Sequence, residues 1–107
     1  MLLLLDENLP KRLKQDFLEF EIYTIRDKGW GGKTNGELLK LMLAGNFAAL
    51  ITFDKSLQYQ QNFNKYSIAV LVLSAADNRY ETLKALVPEI KECINMGLKP
   101  GPIEIKQ

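Results

Sequence analysis

The 107-residue chain contains no histidine. That absence removes Ser–His and Cys–His nucleophile pairs, imidazole acid–base catalysis, haem ligation through histidine and every His-containing zinc site. One cysteine, Cys93, excludes an internal disulfide and a Cys-rich metal centre. An excess of one charge is lacking too. Fourteen Lys and Arg stand against thirteen Asp and Glu, a formal +1, so any polyanion site must be local. Long apolar runs are missing as well. The apolar opening Leu2–Leu5 ends at Asp6 and Glu7 with no basic segment before it, so neither a signal peptide nor a bilayer span is expected. The expectation is a soluble, cytoplasmic protein, in keeping with its lone thiol. With 47% hydrophobic and 25% charged residues, residues 1–107 read as one domain. Carboxylates, amides, hydroxyls and cations remain for chemistry, which favours metal-assisted or phosphate reactions.

Short apolar runs alternate with helical periodicities. Leu2–Leu5, Glu21–Ile25, Ala48–Phe53 and Ile68–Leu73 read as strands, and Ile103–Ile105 as a short edge strand. A helix over 9–19 carries Leu9, Leu13 and Phe17 at i, i+4, i+8, with Asn8 as its cap and Pro10 in its first turn. Arg26–Thr34 is a Gly-rich loop, and Asn35–Gly45 is a second helix. Residues 55–65 suggest a short helix with Leu57, Tyr59 and Phe63 on its apolar side. A long helix over 78–96 is kinked or restarted at Pro88. Non-alternating strands between helices predict an α/β fold: three α/β/α layers around a mostly parallel sheet of four to five strands. Ligands in such sheets bind beyond the carboxyl ends of the strands, where the strand order reverses. Asp6-Glu7, Asp27, Asp54 and Ser74 with Asp77 follow successive strands on that edge.

Carboxylates brought together repel unless a cation neutralises them or one takes a proton. Without histidine, Mg²⁺ or Mn²⁺ is the natural cation, since these ions take one or two carboxylates and complete their shell with water and substrate phosphate. Structural roles compete at each position. Asp6 and Glu7 can complement a helix dipole, and Thr34-Asn35-Gly36-Glu37 is a capping-box pattern. Asp77 and Asn78 can cap the long helix, Asn78 pairing with Glu81. Cys93 reads as packing or surface, with nothing to activate it. Lys11, Arg12 and Lys14, then Arg26, Lys28 and Lys33, then Lys55 and Lys65 offer cations for a single-stranded RNA track, with Tyr59, Gln58, Gln60 and Gln61 nearby in sequence. Trp30 reads either as a base-stacking lid or as an apolar anchor for its loop.

The spread of Leu-Leu-Asp-Glu-Asn (4–8), Asn-Gly-Glu-Leu-Leu (35–39) and Ile-Thr-Phe-Asp-Lys (51–55) resembles the PIN domain superfamily, in its short branch related to VapC-type toxins. The resemblance runs from Leu2 to about Leu86, and Thr-x-Asp at the end of a buried strand is its most specific element. It implies a divalent-metal-dependent endoribonuclease with catalytic and metal-binding Asp6, Glu37 and Asp54, and with Asn35 and Asp77 as further candidate ligands. It also implies RNA as substrate, an antitoxin protein as partner and a homodimer as a candidate assembly. Asn35 and Ser56 stand where that branch commonly has acids, and residues 55–76 contain no Asp or Glu to supply a fourth. Two other readings stand beside it. One is a receiver-like phosphoacceptor domain with Asp6-Glu7 as metal pair, Asp54 as acceptor, Ser74 as hydroxyl switch and Lys106 as its lysine. The other is an inactive PIN-like binding module. A P-loop reading of residues 27–34 ranks lower, because Asp27 stands where the first glycine belongs.

Overall fold

A computed structural model describes residues 1–56 and 67–107. The expected helix over 55–65 with Leu57, Tyr59 and Phe63, and the track members Gln58, Gln60, Gln61 and Lys65, fall wholly or mostly outside those residues. Five strands form one parallel sheet: β1 (Leu2–Leu5), β2 (Glu21–Thr24), β3 (Phe47–Thr52), β4 (Ala69–Ser74) and β5 (Gly101–Lys106). Their order is β2-β1-β3-β4-β5. The chain steps from β1 to one side, then crosses back to add β3, β4 and β5 on the other. The order therefore reverses between β1 and β3.

Successive residues of the strands feed opposite faces of the sheet. Leu3, Leu5, Ile51, Leu71 and Leu73 join Leu13 and Phe17 and the buried side of the C-terminal helices, Leu83, Val87, Ile90 and Ile94. Leu4, Leu50, Val70 and Val72 join Leu38, Leu39 and Met42 on the other face. Each fully buried Leu or Ile contributes about 1.5–3 kcal/mol of hydrophobic stabilisation, which makes the sheet a rigid platform for its own edge. Two apolar clusters, one per face, join helical residues to both sides of the parallel sheet, which makes the fold α/β.

Several local expectations change. The segment after β1 is a 3₁₀ helix, Lys11–Phe17, whose cap residue Pro10 makes no side-chain cap bond. It still buries Leu9, Leu13 and Phe17. The start of the Gly-rich loop is helical: α1 (Ile25–Lys28) is held by a Thr24–Asp27 capping box and stopped by Gly29 at φ 71°. That left-handed conformation costs a residue with a Cβ roughly 1–2 kcal/mol. Helix α2 spans Asn35–Ala44. The long C-terminal helix is two, α3 (Tyr80–Lys84) and α4 (Val87–Asn95), with Pro88 in the first turn of α4. Proline lacks the N–H that an interior position would need, so the helix restarts at it. The Asn78–Glu81 box does not form: Arg79 is the cap residue of α3, without a side-chain cap bond. No helix among the described residues is long and apolar enough to cross a membrane.

Candidate functional site

The parallel register pairs Leu5 with Ile51, and the Asp6 amide continues the ladder by donating to the Ile51 carbonyl at 2.9 Å. The residues just beyond this last rung, Asp6 on one strand and Thr52 through Asp54 on the other, therefore meet at the point where strand order reverses. Thr52 is fully buried. Its hydroxyl donates to Asp6 Oδ2 at 2.7 Å and accepts from the Asp54 amide at 3.0 Å and from Asn8 Nδ2 at 3.3 Å. One donor and two acceptor positions are all that a threonine hydroxyl has, so this one is used completely.

Asn8 completes the frame. Its Oδ1 accepts from the Phe53 amide at 3.1 Å, and its backbone carbonyl accepts from Asn78 Nδ2 at 2.8 Å. Asn8 is thus a brace between the ends of β1 and β3, not a helix cap. The signal in the sequence was present but ambiguous, because an Asn before Leu-Pro at a helix start has the same composition as a strand-end brace.

Asp6 is half-buried, and the Glu7 amide donates to its Oδ1 at 2.8 Å. Burial pushes its carboxyl above the ordinary value of 3.8, and the neighbouring charges of Asp54 and Glu7 push the same way. The bonds from Thr52 and the Glu7 amide act against them. Asp54 is half-buried and is turned by Ser56, whose amide and hydroxyl donate to Oδ1 at 3.0 and 2.6 Å. Lys55, next to Asp54 in sequence, forms no ion pair among the described residues.

The other candidate acids lie elsewhere. Glu37 closes the capping box of α2: its carboxylate accepts from the Thr34 amide at 3.0 Å while Thr34 Oγ1 accepts from the Glu37 amide at 3.2 Å. These bonds lower its pKa, with Lys33 and Lys40 adding to the effect. Asn35 is the first residue of the same helix. Asp77 accepts from the Arg79 amide and side chain. Among the described residues, no group of three or more His, Cys, Asp or Glu side chains is placed to hold one metal ion. The site that forms is a pair, Asp6 and Asp54, framed by Thr52 and Asn8.

A groove of about 770 Å³ opens beside Asp6, between the 3₁₀ helix and α1. Leu5, Leu9, Leu18 and Ile25 supply apolar lining, and Lys11, Arg12, Lys14 and Arg26 supply its cations. Lys14 is paired with Asp27 at 2.7 Å, which holds that carboxyl at about 2. Lys11, Arg12 and Arg26 form no ion pair among the described residues. Lys28, Lys33 and Trp30 are not part of this lining. The Trp30 ring lies edge-on to Phe47 at 5.6 Å with Lys28 Nζ 5.5 Å from its centroid, so Trp30 is the anchor of its loop. Compared with protein-family models, curated proteins and solved structures, the chain finds no match.

Proposed function

We propose that the chain is a divalent-metal-dependent endoribonuclease of PIN-like type, with Asp6 and Asp54 as its acidic centre. The observation that carries this reading is the state of Asp6, a desolvated carboxylate facing the charge of a second acid at the switch point of the sheet. Structural acids elsewhere in the chain, Asp27, Glu37 and Asp77, are held by bonds that lower their pKa values. Asp6 is shifted the other way, chiefly by burial, with the charges of Asp54 and Glu7 adding to it. The donor set fits a hard ion, being all oxygen and matching the one or two carboxylates that Mg²⁺ or Mn²⁺ needs from a protein. A bound ion would supply Lewis-acid stabilisation of the attacked phosphate and a more acidic water.

The chain's own contribution is positional. Thr52 and Asn8 tie the two strand ends together, and Lys11, Arg12 and Arg26 offer charge to the flanking phosphates. A basic side chain of an antitoxin-type partner would satisfy the same two acids. Calorimetric titration with Mn²⁺ tests the reading, alongside cleavage of a labelled RNA in Mg²⁺. Wild type should bind and cleave, while Asp6→Asn and Asp54→Asn should lose both. Equal Mn²⁺ uptake in wild type and Asp54→Asn would refute it.

A receiver-like phosphoacceptor is the second reading, favoured by the register that sets Ser74 of β4 beside Lys106 of β5. The Lys106 ammonium lies against Glu104 at 3.4 Å, which weighs against its serving an acyl phosphate. A phosphoryl mass gain on Asp54 after treatment with acetyl phosphate would support the receiver and displace the nuclease.

A further inference from the structure

Arg12 stands out among the groove cations because its side chain is already oriented. Its guanidinium carbon sits 4.3 Å from the centroid of the Tyr80 ring. The Tyr80 hydroxyl donates to Asp16 Oδ2 at 2.8 Å, a part-buried bond that ties α3 to the 3₁₀ helix carrying Arg12. That bond also raises the phenol pKa, so the hydroxyl stays a donor throughout the neutral range. A guanidinium on an aromatic ring spends its face on the π system. Its five N–H donors lie in its own plane and remain available. Arg12 has no carboxylate partner among the described residues, although Asp16 is close enough to hold the ring beneath it. A cation that is oriented and without an ion pair among the described residues, on the wall of a groove that Asp6 also lines, fits an anion from outside the chain.

We infer that Arg12 is a pre-oriented fork for a phosphodiester group of single-stranded RNA, and that Tyr80 and Asp16 are its positioning residues. This rests on the nuclease reading for the identity of the strand, which would run from Arg12 along the groove toward Asp6. Phosphate suits the site because a guanidinium edge matches two of its oxygens in parallel hydrogen bonds, whereas an ammonium offers only a point charge. Arg26 on the opposite wall can take a neighbouring phosphate, and the exposed Leu18 side chain, 68% accessible, gives an unstacked base an apolar surface.

The test is fluorescence anisotropy with a short labelled oligouridylate in EDTA, so that binding is read without metal or cleavage. Arg12→Lys keeps the charge and loses the fork, so affinity should fall about tenfold with the salt dependence nearly intact. Arg12→Ala should in addition reduce the slope of log affinity against log salt by about 0.7. Tyr80→Leu should weaken binding about three- to tenfold at an unchanged slope, and Tyr80→Phe, which keeps the ring face, should recover most of that loss. If Tyr80→Leu does not fold, Tyr80→Met, which fills similar volume without an aromatic face, reads the same positioning effect. Wild-type affinity in Arg12→Lys or in a folded Tyr80→Leu would overturn the inference, as would tighter binding of an oligoglutamate peptide than of the oligouridylate. Mn²⁺ uptake measured in the same variants reports separately on Asp6 and Asp54. Uptake kept while RNA affinity falls supports the fork, and uptake absent from wild type with RNA binding intact removes the nuclease reading alone.

Discussion

Replacing Thr52 by valine keeps the side-chain shape and deletes the one oxygen that serves three partners. The lost bond to the Asp6 carboxylate is charge-assisted, of a kind that contributes about 1.5–3 kcal/mol, and the lost acceptor for the Asp54 amide adds about 1 kcal/mol. Water can reach half-buried Asp6 and Asp54 in part, so the net cost should be about 2–3 kcal/mol. For a domain of this size that lowers Tm by on the order of 10–20 °C. Thr52→Ser keeps the hydroxyl and loses one buried methyl, so it should cost only about 1 kcal/mol. Urea unfolding followed by circular dichroism gives both values, and carboxyl NMR titration of Asp6 gives the electrostatic half of the argument. The Thr52 hydroxyl lowers the Asp6 pKa, so Thr52→Val should drive that pKa still higher. The sign for stability follows. Between the ordinary value of 3.8 and the raised one, the folded chain keeps a proton that the unfolded chain has released, so stability falls as pH rises through that window. Thr52→Val should extend the fall to higher pH. Equal stability of Thr52→Val and Thr52→Ser, with Asp6 titrating as in wild type, would refute the idea that this hydroxyl organises the site.

Asp27 is shifted in the opposite sense, from 3.8 to about 2, chiefly by Lys14. The stability it contributes is complete above 3.8 and is lost as pH falls toward 2, so Lys14→Met should lower the neutral Tm slightly, leave the Tm at the acid limit unchanged and so shrink the acid-induced loss. Glu37→Gln preserves the capping box and lies outside the Asp6–Asp54 pair. Stability should stay within about 0.5 kcal/mol of wild type and Mn²⁺ affinity should be unaltered, while a drop in that affinity would return Glu37 to the metal site.

Most of the framework was legible because it depends on local apolar pattern. The strands are aliphatic runs bounded by polar residues, and Pro88 marked the restart between α3 and α4. Helical detail was less legible where tertiary demands compete with propensity. Residues 9–19 carry a good helical stripe, yet the Asn8 side chain is taken up by the Phe53 amide rather than by a helix end, and the segment forms a 3₁₀ helix. Thr24 and Asp27 were readable as a capping box by the same rule that identified Thr34 and Glu37, and that box turns the start of the Gly-rich loop into α1. The Tyr80–Asp16 bond spans 64 residues and follows no spacing rule, so only the folded chain reveals that Arg12 rests on an aromatic ring.

Which acids meet is decided by strand order, a property that no local pattern contains. A row of strand-end carboxylates in the sequence suggests a single cluster, but in a sheet only the ends of adjacent strands come within reach of one ion. β1 lies between β2 and β3, so Asp6 had two potential neighbours. The acid after β2, Asp27, turns into its own capping box and takes Lys14, which removes it from the edge. The acid after β3 accepts from the amide and hydroxyl of Ser56, and the buried Thr52 fastens its backbone to Asp6. Glu37 belongs to a helix that enters after β2, and its carboxylate is spent on the Thr34 amide. The pair Asp6–Asp54 is therefore what remains when each acid bound into a capping box or an ion pair is subtracted, and strand order alone brings these two to one end of the sheet.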